Sequence, residues 1–580
     1  MKKFILSISI PAAIVLLLAV VYSFMSPVNN DAVTQTKAPV DKITAVQKVK
    51  DVIAAKKLYE KFDAVSVFEY QNVPFSKSDI MRDIRKYVNL KVNRASLVSL
   101  LNNRTDNITF SIPVSKDRNL DIELTRFDLL SDDFKVVTND GKNAKELAYN
   151  RGIFYRGIVK GQPNSIAALS VFDNLIMGVI SSDEGTFNLG PVDDNNNNSN
   201  YIFYNEKDCS AKNNFKCDID GKDMHFYKTD ENPGHKPHEE DYMGARYPVR
   251  IYLEADYKLY QDKGSNETNV VNFVTGYYNS VAAIYQNEYI PVTISQIYIW
   301  TAADPYRFFN NSIDYLYAFG VAKKDNFNGD LAQFLTTRPL GAGGIAWIGT
   351  LCASYSPQDT SGRFSFCNID NVYYSYPTYS WTVMVSTHEL GHNFGSMHTH
   401  ACWWPLTPNR IGAIDSCYYA EGNCFPNPGP SIGTIMSYCH LQEPYGGGID
   451  PRLGFGPMPG DTIRLRYNQC SKFGPVINSS ETPTSFSLMQ NFPNPFNPVT
   501  TIRFAVPENT NVTLIIYDIK GREVTQLLNN VNYGIGAFNI LFNSSIYGLS
   551  SGVYFYRVTA VDPTSGSNKF TEVKRMILIK

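Results

Sequence analysis

The chain has 580 residues, of which 43% are hydrophobic and 19% charged, and 53 Lys and Arg nearly balance 55 Asp and Glu, for a net charge of −2. That length exceeds what one hydrophobic core supports, so several domains are expected. The balanced charge, with no basic stretch, gives no electrostatic basis for a nucleic-acid partner.

In chain order, Lys2 and Lys3 precede an apolar run from Phe4 to about Phe24. The pattern predicts a signal peptide over residues 1–26, with a retained anchor as the alternative for so long a run. Either way the rest of the chain is exported, and no permanent transmembrane segment is expected. The nine cysteines agree, since all lie beyond residue 200 and their clustering suggests local disulfides. An odd number leaves at least one thiol outside simple pairing.

Residues from about 40 to 230 carry period-two runs broken by Gly, Pro, Asn and Asp, as in FSIPVSKDRNLDIELTRFDLL and YRGIVKGQPNSIAALSVF, which predicts a β-rich unit. DDNNNNSN (193–200) reads as an exposed loop, and residues 230–248 read as an interdomain linker. At Pro248 the texture changes. VRIYLEAD reads as a strand. Apolar residues at Val270, Phe273, Val274, Tyr277, Val281, Ile284 and Tyr285 then recur with a helix period, and PVTISQIYIW is a second strand. That β-α-β order suggests an α/β unit, with a further strand in GGIAWIGTLC and a buried helix in WTVMVSTHELGHNF. Beyond Cys470 a Ser/Thr/Pro linker leads into short strands at regular spacing, the signature of a small β-sandwich.

The chemistry concentrates in HELGHNFGSMH, residues 388–398. Residues i and i+4 share a helix face, so His388 and His392 present two imidazoles to one ion. Glu389 sits about 100° further round, suited to act as a base rather than a ligand. Gly395 takes positive φ at little cost, ending the helix and bringing His398 back as a third ligand. Three ligands leave the fourth position open for water, as catalytic zinc requires. His400 and His440 flank the set and read as supporting or surface histidines, because the ligands are already complete.

The motif, followed by GTIMSYCH (433–440), resembles the metzincin clan of zinc peptidases. Within the clan, GDLAQFLTTRPLGAGGIAWIGTLC and the upstream YRGIVKGQPNSIAALS are most similar to the reprolysin-like (adamalysin) family and its prodomain. The resemblance implies a Met-turn at Met436, a tyrosine at Tyr438 that serves as an extra ligand or stabilises the oxyanion, and a substrate-binding edge strand at Gly344, Ile345, Ala346 and Trp347. Two departures stand out. Thr399 and His400 replace the acid that usually follows the third histidine, and Arg250 falls near the usual first-strand calcium ligand. Zn2+ is the expected cofactor; Ca2+ is open to the family but unsupported by these residues. The C-terminal stretch, opening with QNFPNPFNPVT, resembles the type IX secretion sorting domain.

Together with the N-terminal export pattern, these resemblances imply a multidomain chain: a signal peptide over 1–26, a reprolysin-like propeptide over 27–245, a metzincin catalytic domain over 246–475, a linker over 476–486, and a sorting domain over 487–580. The expected folds are a β-rich prodomain, an α/β catalytic domain with a mixed twisted sheet and long active-site helix, and an all-β Ig-like sandwich. The expected function is a secreted or surface-attached zinc endopeptidase of a Gram-negative bacterium, acting on extracellular proteins and peptides, with the type IX machinery as partner. A catalytically inactive surface binding protein on the same scaffold is the alternative. A peptidase made with its own N-terminal domain needs a latency device, with processing expected near Arg246. Cys209 and Cys217 are the candidates for a thiol held at the metal. A Cys209–Cys217 disulfide is the competing expectation.

Overall fold

The computed structural model describes residues 44–579 except 46, 73–77, 193–198, 212, 214, 219–244, 342, 370–375, 408–409, 417, 423, 425–431, 442–447, 471–484, 492–493, 497–498, 534, 545–546 and 548. The expected signal peptide, most of both expected linkers, most of the asparagine-rich loop and Cys417 lie outside the described residues. No helix among the described residues is long and apolar enough to cross a membrane.

The N-terminal region forms a ten-stranded sheet, almost wholly antiparallel, whose central strands include Ile153–Val159, Ile166–Val171 and Ile176–Ser182. Every residue of these three strands is buried, so both faces of the sheet are covered there. One face packs a core that includes Leu97, Phe110 and Tyr155, while Phe154, Ala168 and Met177 point into the cluster beneath the second sheet.

The second sheet has seven strands. In chain order its neighbourhood contains β1 (Leu130–Asn139), β2 (Ala144–Leu147), β3 (Val249–Ala255), helix α1 (Glu267–Asn287), β4 (Val292–Trp300), helix α2 (Ser312–Lys323), β5 (Leu331–Thr336), β6 (Gly344–Ala346), β7 (Phe364–Asn368) and helix α3 (Tyr379–Asn393). The spatial order is β6-β7-β5-β3-β4-β1-β2. Strands β7, β5, β3, β4 and β1 run parallel, and β6 and β2 close the two ends antiparallel. The sheet is therefore mixed. Its far end departs from the sequence reading, in which residues 130–147 belong to the N-terminal β unit. Period-two alternation marks a segment as strand without choosing its partner, and here Val136 lies in register with Ile297 of β4.

Helix α1 follows its expected period, with Asn266 as N-cap accepting from the Asn269 N–H. Yet every residue from Val270 to Gln286 is buried, including Asn272, Thr275 and Asn279. An amphipathic helix buries one stripe; α1 buries two, one against the second sheet and one against the N-terminal sheet.

The C-terminal strands make a three-stranded and a four-stranded sheet, antiparallel throughout. Strand Thr510–Tyr517 alternates buried and half-buried residues as the sequence predicts. Side chains of both sheets, Phe504 and Tyr556 among them, form a hydrophobic cluster separate from the others.

Candidate metal centre and active site

Helix α3 is buried along nearly its whole length, and two of its histidines lie one turn apart. The helix stops where Gly395 adopts φ +95°, and the Ser396 N–H donates back to the Gly391 carbonyl. His398 thereby returns to the face that carries His388 and His392. The three Nε2 atoms form a triangle with all sides 3.2 Å. Tetrahedral zinc with Zn–N bonds of about 2.0 Å needs ligand atoms about 3.3 Å apart, so the donor set fits that ion.

The opposite ring nitrogens are all engaged. Nδ1 of His388 faces the Ile435 carbonyl at 2.8 Å, that of His392 the Ser396 carbonyl at 2.7 Å, and that of His398 the Glu421 carboxylate at 2.8 Å. Each acceptor fixes the proton on Nδ1 and leaves the Nε2 lone pair facing the common centre. Burial, with His392 and His398 adding to it, pushes the His388 pKa well down, which keeps the ring neutral.

Glu389 is fully buried beside the triangle, and its Oε1 has no hydrogen-bond partner among the described residues. Burial pushes its carboxyl well above the ordinary range. Gly344 faces it across the site: a Cβ there would come within 2.5 Å of Glu389 Oε1, so only glycine fits. Met436 lies fully buried beneath α3, its sulfur filling the space at Gly391, and its carbonyl accepts from the Thr399 N–H at 3.0 Å.

A segment of the N-terminal region enters this site. Residues 215–218 run parallel to the edge strand β6: the Gly343 N–H donates to the Lys216 carbonyl and the Asp218 N–H to the Gly344 carbonyl, both at 2.9 Å. Cys217 Sγ reaches 3.7 Å from His392 Nε2 and 3.6 Å from Glu389 Oε2. Cys217 and the three histidines thus form a group able to hold one metal ion. The Tyr438 hydroxyl grips the Cys217 residue, accepting from its N–H at 2.9 Å and donating to its carbonyl at 2.8 Å, and lies 3.3 Å from His398 Nε2. His440 donates from Nε2 to the Phe215 carbonyl at 2.9 Å.

Of the two cysteine candidates the structure brings only Cys217 to the histidines. Cys209 and Cys217 are not joined to each other as the competing expectation had it. Cys209 is tied instead to Ile84 by a backbone bridge, with its thiol 3.7 Å from the Tyr376 hydroxyl. Pairs formed elsewhere include Cys402–Cys424, a local link, and Cys352–Cys470, which spans 118 residues and departs from the expectation of local pairing. Gly344, Ile345 and Ala346 form the edge strand; Trp347 follows it, its carbonyl accepting from Asn393. At the first strand, the Arg250 guanidinium donates to Asp133 and Asn328, so a cation already sits among these polar groups.

Glu421 was not singled out by sequence. One of its oxygens receives both His398 Nδ1 and, at 3.0 Å, His400 Nε2, and the two rings stack 4.9 Å apart. The only sequence signal is indirect: with Thr399 after the third histidine, the carboxylate partner has to come from elsewhere in the chain.

Residues 245–443, which include the whole triangle, match the model of metallo-peptidase family M12, reprolysin-like. The chain carries a reprolysin-like M12 metallopeptidase domain. Residues 490–573 match the secretion system C-terminal sorting domain, which indicates a secreted or cell-surface protein. Similar curated proteins include the disintegrin and metalloproteinase domain-containing protein adm-2 of Caenorhabditis elegans, 28% identical over 55% of this chain and 29% of that one. Disintegrin and metalloproteinase domain-containing protein 10 of Rattus norvegicus is 24% identical over 47% of this chain and 42% of its own. The chain therefore spans less than half the length of these relatives. Among solved structures, metalloproteinase-II from Bacteroides fragilis aligns over 60% of this chain and 92% of its own at 10% identity and a TM-score of 0.30.

Proposed function

We propose that this chain is a secreted zinc-dependent endopeptidase, made latent by its own N-terminal region. The observation that carries the reading is the equilateral Nε2 triangle of His388, His392 and His398 with Glu389 buried beside it. His388, His392 and His398 would hold zinc, which when bound supplies Lewis-acid polarisation of the scissile carbonyl and acidifies the attacking water.

The remaining steps belong to the chain's own groups. An extended substrate adds to the edge strand β6 through its backbone, in the place that residues 216–218 take here. Glu389 Oε1 accepts the proton of the attacking water and passes it to the leaving amine nitrogen. The Tyr438 hydroxyl, released from the Cys217 carbonyl, donates to the developing oxyanion. Met436 and the backbone carbonyls that hold His388 and His392 keep the ligands in position.

Cys217 is the latency residue in this reading: its sulfur would fill the open position at a bound metal in place of water, and its backbone blocks the edge strand. Processing falls near Arg246, which pairs with Thr44 in a two-residue strand. The C-terminal strands, read as an Ig-like sandwich, direct the chain through the type IX machinery of a Gram-negative bacterium. No observation favours the inactive binding-protein reading, because the sequence retains Glu389 and all three histidines.

The test is casein cleavage by protein cut near Arg246 and freed of the strap, with bound zinc counted. Glu389→Ala is expected to keep one equivalent of zinc and lose activity by about 10³-fold or more. Undiminished cleavage by that variant, or none by the zinc-loaded wild type on a broad peptide library, would overturn the proposal.

A further inference from the structure

The polar stripe on α1 has no role in the chemistry above. Asn272, Gly276, Asn279, Ala283 and Gln286 recur at i, i+4, i+7, i+11 and i+14, a second helical face opposite the one that packs on the catalytic sheet. The N-terminal sheet is fitted to it. Ser170 Oγ donates to the Gly276 carbonyl at 2.9 Å, and a Cβ on Gly276 would meet Met177 Sδ at 2.7 Å. Asn279 Nδ2 donates to the Tyr155 and Leu169 carbonyls at 3.0 and 3.3 Å. The buried Arg156 guanidinium donates to Asn279 Oδ1 and Gln286 Oε1, both at 2.9 Å.

A second junction is the sheet itself. Strand β1 pairs with β4 from Ile294↔Leu130 to Trp300↔Asn139, so the N-terminal region supplies the outer two strands of the catalytic sheet. Removing it would leave β4, VTISQIYIW, as an apolar edge with a row of unpaired backbone groups. Asp133 would also leave the Arg250 guanidinium that it pairs with.

We propose that the N-terminal region is a permanent structural half of the mature protein: once the chain is cut in the expected linker over 230–248, the two fragments stay joined through the shared sheet and the second face of α1. Activation then means withdrawal or cutting of the strap at Cys217, with no departure of the N-terminal sheet. The inference rests on the peptidase reading only for the natural cutting of the linker.

The experiment supplies its own cut. A site-specific protease sequence is inserted between Gly234 and His235 of the full chain carrying Cys217→Ser, which removes the sulfur's contribution, while the β4 exchange readout reports the shared sheet independently of the strap's backbone contacts. After cutting, both fragments are expected to elute together at the mass of the uncut chain. Hydrogen exchange of the β4 amides is expected to stay within twofold of the uncut protein. Separation of the fragments in native buffer, or a tenfold rise in β4 exchange, overturns the proposal. Neither readout uses proteolytic activity, so failure of the peptidase reading and failure of this one are distinguishable.

Discussion

Glu421 shows how a carboxylate far along the chain supports one member of the proposed ligand set. It orients His398 through Nδ1 and holds the His400 ring against it, from within the loop stapled by Cys402–Cys424. Such partners typically account for 10–100-fold in metal affinity. Glu421→Ala is accordingly expected to weaken zinc binding by about that factor in competition with a chelator, while far-ultraviolet circular dichroism stays unchanged. A wild-type affinity would remove Glu421 from the site. At this scale the sequence is most legible where residues are local. The triangle can be drawn from 388–398 alone, because helix period and a positive-φ glycine fix three side chains. Glu421 lies 23 residues from His398, beyond the paired strands Trp404–Thr407 and Arg410–Gly412, and no periodicity connects them.

At the scale of elements, the strap 215–218 pairs with the edge strand β6 in the place proposed for substrate, and His440 sets how firmly. Burial against Phe215 pushes the His440 pKa down to about 4, against the hydrogen bond to the Phe215 carbonyl. Released into water, His440 returns towards an ordinary pKa of about 6.5. Between those values the released state binds more protons, so acidification favours release and the latched form is favoured above about pH 6.5. Exchange of the 215–218 amides, corrected for intrinsic rate, is expected to rise as pH falls from about 7 to 5; His440→Gln should flatten that dependence. Cys217→Ser, in the full uncut chain, is expected to raise peptide cleavage at least tenfold by removing the proposed sulfur ligand. Equal rates in both proteins would reassign latency to the backbone of the strap. Alternation and helix period were enough to find β3, α1, β4 and α3. They were not enough to pair β1, because a strand's neighbour is chosen by tertiary packing that its own pattern does not record.

At the scale of the whole molecule, the C-terminal sheets carry their own hydrophobic cluster, with Phe504, Val512 and Tyr556 at its centre. A chain ending at residue 486 is therefore expected to keep the principal calorimetric transition of the full protein within about 2 °C and to lose a smaller one. A shift of the principal transition by 10 °C would show that the tail supports the rest. Composition breaks announced this organisation, since a Ser/Thr/Pro stretch separates the tail from Cys470. The union of N-terminal and catalytic regions was not announced, because α1 reads as an ordinary one-faced helix until its polar stripe is seen buried.

The Cys352–Cys470 link gives the molecule a mechanical property. Cys470 caps the helix Pro457–Gln469, just before the chain leaves for the tail. Tension on the tail during export or surface attachment therefore passes covalently to Cys352, bypassing that helix. Cys352 follows Leu351, whose N–H donates to the Asn393 carbonyl at the end of α3. The force is delivered to the buried junction of β6 and α3, and the last helix is spared from unwinding.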